Sequence, residues 1–120
     1  MDKVAQFTST LFASRTQAHI FHLQTTSYAQ HVALGAYYDG IIPLVDGLTE
    51  LIQGRYEIVR GYTSPAAFKE DDSTVSYFEA LLKFVDLKRA ELPQDSNIQN
   101  TVDEIVDLVQ STLYKLKYLH

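Results

Sequence analysis

The amino-acid sequence predicts an all-α protein with four helices. Four segments repeat apolar residues at the three- and four-residue steps of a helix, and none shows the alternation of a strand. The chain has 120 residues, 46% of them hydrophobic, which is enough to form the core of one ordinary domain. We therefore predict a single domain that spans residues 1–120.

The first two helices are predicted over residues 2–24 and 28–53. Three consecutive cap-forming residues at 25–27 separate them, and Gly54 is the expected stop of the second helix. Pro43 lies inside that helix, where proline removes a backbone hydrogen bond at a cost of ~3 kcal/mol. Because the apolar stripe keeps its phase on both sides of Pro43, we expect a kink rather than two separate helices.

The second half of the chain predicts a long connection followed by two more helices. Residues 61–72 read as the connection, and a helix starts near Ser73 with a capping box at 76–79. Leu92 and Pro93 end this helix, and a second capping box at 96–99 opens the last one. Two helical hairpins joined by one long crossover form a ferritin-like four-helix bundle, and a short-looped up-and-down bundle is the alternative.

Composition excludes several classes of protein. The chain has no cysteine, which excludes disulfides and thiolate metal sites, and it has no apolar run near the ~20 residues that a membrane span needs. The first residues lack the layout of a signal peptide, so we expect the cytoplasm of a cell or of an infected host. The net charge of -5 and the absence of a basic tail argue against DNA as a partner.

Histidines and carboxylates at regular spacing predict a metal site. His19, His22 and His31 share one short window, and Asp46 and Glu50 follow one helical turn apart. Imidazole and carboxylate together suit iron, manganese or zinc. His31 and Asp46 are separated by ~22 Å of helix, so one ion cannot bridge them within one chain. A second copy packed antiparallel across a two-fold axis would complete two half-sites, which predicts a homo-oligomer with two-fold interfaces.

The spacing of His19, His31, Asp46 and Glu50 resembles the ferroxidase signature of the Dps family, the mini-ferritins. The resemblance implies a ferritin-like fold and oxidation of Fe(II), typically by peroxide. It also implies iron storage in a closed cage such as a dodecamer. His19 and His31 would bind iron from one subunit, and Asp46 and Glu50 from its neighbour. The chain is short for the family and is similar to the trimmed Dps-like proteins that some phages encode.

Some positions depart from the family pattern. Gly35 stands where the family usually has an aspartate, and Asp39, one turn further, is the possible substitute. Ile20 follows His19 where the family usually has tryptophan, so His22 is the alternative ligand to His19. Acidic candidates for an iron access path or a nucleation surface are Asp71, Asp72, Asp103 and Asp107.

Two functions therefore remain open from the sequence. One is a working ferroxidase that stores and detoxifies iron. The other is a ferritin-like helical protein that has lost catalysis and acts as a structural or interaction module. Gly35 and Pro43 favour the second, because one replaces a family carboxylate and the other interrupts the helix that carries the ligands.

Overall fold

The computed structural model describes residues 1–64 and 73–120, and these form four α-helices, one short 3₁₀ helix and no strand. The α-helices are α1 (Asp2–Gln24), α2 (Tyr28–Arg55), α3 (Thr74–Lys88) and α4 (Ser96–Tyr118), and the 3₁₀ helix is Arg89–Glu91. The predicted all-α class and its four helices are confirmed. None of the helices in the described ranges is long and apolar enough to cross a membrane.

The first two helices lie close to their predicted bounds. Ser27 caps α2, because its hydroxyl accepts a hydrogen bond from the backbone N–H of Gln30 at 3.3 Å. The helix runs past the predicted stop at Gly54 and ends at Arg55. It also continues through Pro43, so proline does not divide it into two helices.

Both predicted capping boxes are wrong. Ser73 caps α3 by accepting from the N–H of Ser76 at 3.0 Å, so Ser76 lies inside the first turn. Asp95 precedes α4 without a side-chain cap, and the amide of Gln99 donates to the carbonyl oxygens of Arg89 and Pro93 instead. The cap of α3 thus lies one turn upstream of the predicted one, and Gln99 Oε1, which a capping box would use, accepts from Arg89 Nε at 3.0 Å.

The four helices form a closed ring of neighbours. Helix α1 packs on α2, α2 on α4, α4 on α3, and α3 on α1. Helices α2 and α3 therefore lie across the diagonal, where the rings of Tyr37 and Phe78 meet edge to face with centroids 4.9 Å apart.

Two aromatic contacts show the directions in which α1 and α3 run. Phe7, near the start of α1, stacks on Phe84 near the end of α3, with centroids 5.7 Å apart. Phe21, near the end of α1, meets Tyr77 near the start of α3 at 5.6 Å. Helices α1 and α3 are therefore antiparallel. Because the short turn at 25–27 also makes α1 and α2 antiparallel, α2 and α3 run in the same direction.

One buried hydrogen bond joins α1 to α2 inside the apolar core. The Tyr37 hydroxyl lies 2.7 Å from Ser14 Oγ, which is itself 2.6 Å from the carbonyl oxygen of Leu11. Ser14 has one hydrogen and donates it to the carbonyl, so Tyr37 donates to Ser14. Burial raises the pKa of Tyr37, which keeps the phenol protonated for this role.

A double-mutant cycle tests this bond. Ser14→Ala leaves the buried Tyr37 hydroxyl without its partner, at an expected cost of about 1–3 kcal/mol in the free energy of unfolding. Tyr37→Phe leaves Ser14 bonded to Leu11 and should cost about 1 kcal/mol. In urea unfolding, the double variant should lose less stability than the sum of the two single losses; strict additivity would contradict the coupling.

A second polar contact joins the end of α2 to the start of α4. Tyr56 donates from its hydroxyl to Asp95 Oδ1 at 2.6 Å, and Arg55 Nη1 lies 3.1 Å from Asp95 Oδ2. The hydrogen bond from Tyr56, with the Arg55 charge beside it, lowers the pKa of the Asp95 carboxyl. The stability that this carboxylate contributes is present above its unfolded pKa of about 3.9 and is lost as pH falls through the folded value.

Tyr56→Phe should return the pKa of Asp95 towards its ordinary value, because the largest cause of the shift is removed. The measurement is a carboxyl NMR titration, with Tyr118→Phe as the control because Tyr118 is exposed and remote in sequence. An unchanged Asp95 titration in Tyr56→Phe would show that the contact does not hold in solution.

Candidate metal centre

His22 and His31 form a reciprocal pair across the turn between α1 and α2. The imidazole rings stack with centroids 3.6 Å apart and planes 20° from parallel. His22 Nδ1 lies 2.6 Å from the carbonyl oxygen of His31, and His31 Nδ1 lies 2.9 Å from the carbonyl oxygen of His22. A carbonyl oxygen only accepts, so each Nδ1 carries the hydrogen. In the neutral rings both Nε2 atoms therefore hold free lone pairs.

This pairing has the chemistry of metal-binding imidazoles. A histidine ligand usually donates its second ring N–H to a carbonyl or carboxylate, which fixes the ring and its tautomer. Each lone pair lies in the plane of its ring. Since the planes of His22 and His31 are nearly parallel and the centroids are 3.6 Å apart, the two lone pairs do not converge on one ion. The pair therefore does not offer two nitrogen ligands to a single ion.

His19 lies near this pair but does not contact His31 by its ring. It stacks on Tyr38 with centroids 4.5 Å apart, and its ring centroid is 6.0 Å from that of His22. The Arg15 guanidinium carbon lies 5.4 Å from the Tyr38 ring centroid, a cation–π distance. Of the two alternatives left open by the sequence, it is His22 that the fold brings beside His31.

Gly35 makes room for the His22 ring. A Cβ at position 35 would lie 3.3 Å from His22 Cε1 and 3.5 Å from His22 Nδ1. The aspartate that the family pattern places here would press on a ring that is already held by stacking and a hydrogen bond. Gly35 is therefore part of the packing of the histidine pair.

The carboxylates lie further along α2. Asp46 and Glu50 line an open groove of about 550 Å³ between α1, α2 and the segment 62–64. The rest of its lining is Ser9, Phe12, Ala13, Thr16, Thr49, Gln53, Tyr62, Thr63 and Ser64. Asp39, Asp46 and Glu50 are exposed, and none of them forms an ion pair within residues 1–64 and 73–120. These carboxylates remain available to a cation or to another chain.

One chain does not assemble the predicted ligand set by itself. His31 and Asp46 are separated by about 22 Å along α2. In the described part of the chain, no group of three or more histidine, cysteine, aspartate or glutamate side chains is arranged to hold a metal ion. The four-ligand site of His19, His31, Asp46 and Glu50 requires a second copy and stays a prediction.

The acidic residues predicted to line an iron access path or a nucleation surface have different surroundings. Asp103 forms an ion pair with Arg89 at 2.7 Å, which anchors the start of α4 to the 3₁₀ helix. Asp107 is exposed on α4. Asp71 and Asp72 lie outside the described residues.

Sequence reasoning missed the contact of Arg15 with Tyr38 and the hydroxyl-rich lining of the groove. One signal for the first was available: Arg15 precedes His19 by four residues, so both lie on one face of α1. The groove had no local signal, because residues 62–64 reach it from far along the chain.

Comparison with known proteins gives the family of this chain. The profile of a family of unknown function, DUF5856, matches residues 22–116. The chain belongs to this family. The matched stretch includes His22, His31, Asp46 and Glu50 and begins after His19. No curated protein and no solved structure is similar enough to the chain to match it.

Two glycine-to-alanine substitutions in α2 test the packing at the histidine pair. Both raise helix propensity, but only the one at position 35 adds a Cβ against the His22 ring. Gly47→Ala should stabilise the protein by about 0.5–1 kcal/mol, because nothing lies within 4 Å of the added Cβ. Gly35→Ala should stabilise the protein less than Gly47→Ala does, or destabilise it, because the added Cβ would lie 3.3 Å from His22 Cε1. Thermal unfolding at one protein concentration measures both, and equal stabilisation would show that the His22 ring is not held in place.

Proposed function

We propose that this protein is a Dps-like iron-binding protein that oxidises Fe(II) at a site shared between two subunits and stores the product. The observation that carries the proposal is the His22–His31 pair, in which both Nδ1 hydrogens are bound to backbone and both Nε2 atoms are left as donors to a metal. Iron is the substrate here, and the chain supplies ligands that hold and orient it.

The arrangement of the helices supports a ferritin-like bundle with one long crossover. All neighbouring helices that share aromatic or polar contacts run antiparallel, while α2 and α3 run parallel across the diagonal. In the up-and-down alternative, consecutive helices would all be antiparallel neighbours. Parallel α2 and α3 require the chain between them to return along the bundle, as a ferritin-like crossover does.

The ligands would come from two chains. One copy supplies His22 and His31, with His19 beside them, and the other supplies Asp46 and Glu50. Nitrogen and oxygen donors of this kind suit iron. Two lone pairs that do not converge favour two ions, and two Fe(II) ions give the two electrons that one peroxide accepts. The products, with two protons taken up, are two Fe(III) and two waters.

A structural or interaction module is the second candidate. The His22–His31 pair is satisfied within one chain by stacking and by its two backbone bonds, so it also fastens the α1–α2 turn without a metal. Under this function the same residues would stabilise the fold, and iron would not bind above background.

Mixing two inactive variants tests whether the site is shared. His22→Ala/His31→Ala removes the histidine half, and Asp46→Ala/Glu50→Ala removes the carboxylate half, so each variant alone should lose saturable Fe(II) binding and peroxide-driven oxidation. After unfolding and refolding together, an equal mixture should regain about a quarter of the wild-type capacity, because a site forms only where the two intact halves meet.

Matched controls change residues of the same types that are not proposed ligands. His120→Ala and Asp86→Ala change an exposed histidine and an exposed aspartate, and both should bind iron as the wild type does. Oxidation that survives in the separate double variants would show that the named site is wrong. Light scattering on the same samples measures whether the chain forms a cage, and a monomer would contradict both sharing and storage.

A further inference from the structure

The open groove between α1, α2 and the segment 62–64 has the size of a small-molecule site and no positive charge. Its volume of about 550 Å³ lies within the ~300–1,000 Å³ range of such sites. The described residues that line it include no lysine, arginine or histidine, while Asp46 and Glu50 contribute two carboxylates without an ion pair. The groove therefore disfavours an anionic ligand and leaves a neutral or a cationic one.

Two buried hydroxyl groups in the lining have hydrogen-bonding capacity to spare. Ser9, which is 3% exposed, accepts from the backbone N–H of Thr63 at 3.0 Å, and its own hydrogen has no acceptor in the described part of the chain. Thr49, which is 8% exposed, donates to the carbonyl oxygen of Val45 at 2.8 Å and can still accept. A ligand that both accepts and donates hydrogen bonds would use both groups.

The amide of Gln53 adds two more donors. Its Oε1 accepts from the backbone N–H of Val59 at 3.0 Å, so both hydrogens of its NH₂ group remain unused by the described residues. The groove thus offers donors from Ser9 and Gln53 together with the carboxylate acceptors. A cation would use only the acceptors, whereas each hydroxyl group of a sugar can donate and accept.

Two aromatic rings form a corner in the same groove. The rings of Phe12 and Tyr62 have centroids 6.4 Å apart and planes inclined by 59°, and Tyr62 is 46% exposed. Gly61, in the left-handed region with a φ of 83°, and the bond from Thr63 to Ser9 hold this segment against α1. The negative face of an aromatic ring attracts C–H groups, which are what the face of a sugar ring presents.

We infer that this groove binds a neutral saccharide, with one sugar ring packed on Tyr62 and its hydroxyl groups donating to Asp46 and Glu50. Ser9 and Gln53 donate to oxygen atoms of the same ligand. This binding goes beyond the proposed iron function and does not depend on it. The two functions share the carboxylates, so Fe(II) and the saccharide compete for them.

NMR titration of metal-free, ¹⁵N-labelled protein tests the site with four neutral disaccharides: maltose, cellobiose, lactose and diacetylchitobiose. At least one should give saturable chemical-shift changes centred on the groove. No response to any of the four at about 10 mM, which would half-fill a site with a Kd of about 10 mM, would overturn the inference. Putrescine, a dication without hydroxyl groups, is the comparison probe. A response to putrescine alone would identify a cation site and also overturn the inference.

Variants test the contacts with the disaccharide that responds. Tyr62→Ala should weaken its binding more than about tenfold, because the sugar ring loses its packing surface. Tyr118→Ala is the matched control, since Tyr118 is 68% exposed on α4 and outside the groove lining, and it should bind as the wild type does. Unchanged binding in Tyr62→Ala would contradict the inference.

Two substitutions of Glu50 separate recognition of hydroxyl groups from recognition of charge. Glu50→Gln keeps an oxygen acceptor and Glu50→Ala does not, so a neutral sugar should lose less affinity in the first variant than in the second. Equal losses in the two variants would show that the groove recognises positive charge, which contradicts a neutral ligand.

Fe(II) titration separates this binding from the iron chemistry. Tyr62→Ala should bind Fe(II) as the wild type does, because it removes no proposed iron ligand. Saccharide binding without Fe(II) binding by the wild type would keep the saccharide site and remove the proposed function. Fe(II) binding without a response to any disaccharide would keep the proposed function and overturn the saccharide site.

Discussion

The three-residue turn between α1 and α2 is the constraint on which the rest of the site depends. It makes α1 and α2 run antiparallel, with His22 in the last turn of α1 and His31 in the first turn of α2. Their rings then stack, and each binds the other's backbone through Nδ1. The same turn fixes both ring orientations and places the hydrogen of each neutral ring on Nδ1.

The length of α2 sets the second constraint. About 22 Å of helix separates His31 from Asp46, far more than the reach of any side chain. A metal site that uses both halves is therefore possible only between chains. The exposed carboxylates and the open groove lie at one end of α2, and the exposed Tyr28 lies at the other.

A few specific contacts between helices add to the apolar packing. Ser14 shares its hydroxyl between Leu11 and Tyr37, and Gly35 leaves a space that the His22 ring fills. Asp95 takes both Tyr56 and Arg55 where α2 meets the start of α4. Each contact joins two helices at defined atoms or at a close fit, which adds a positional constraint to apolar packing that is itself not directional.

The sequence by itself determined the four helices, since apolar periodicity and the cap at Ser27 act within a few residues. It did not determine the caps of α3 and α4, because Ser73 lies one turn upstream and Gln99 is drawn to the carbonyl oxygens of Arg89 and Pro93. Only the tertiary structure decided that His22 rather than His19 stacks on His31, and that Gly35 lies against the His22 ring. Both depend on how α1 and α2 rotate against each other, and spacing along one helix carries no information about that rotation.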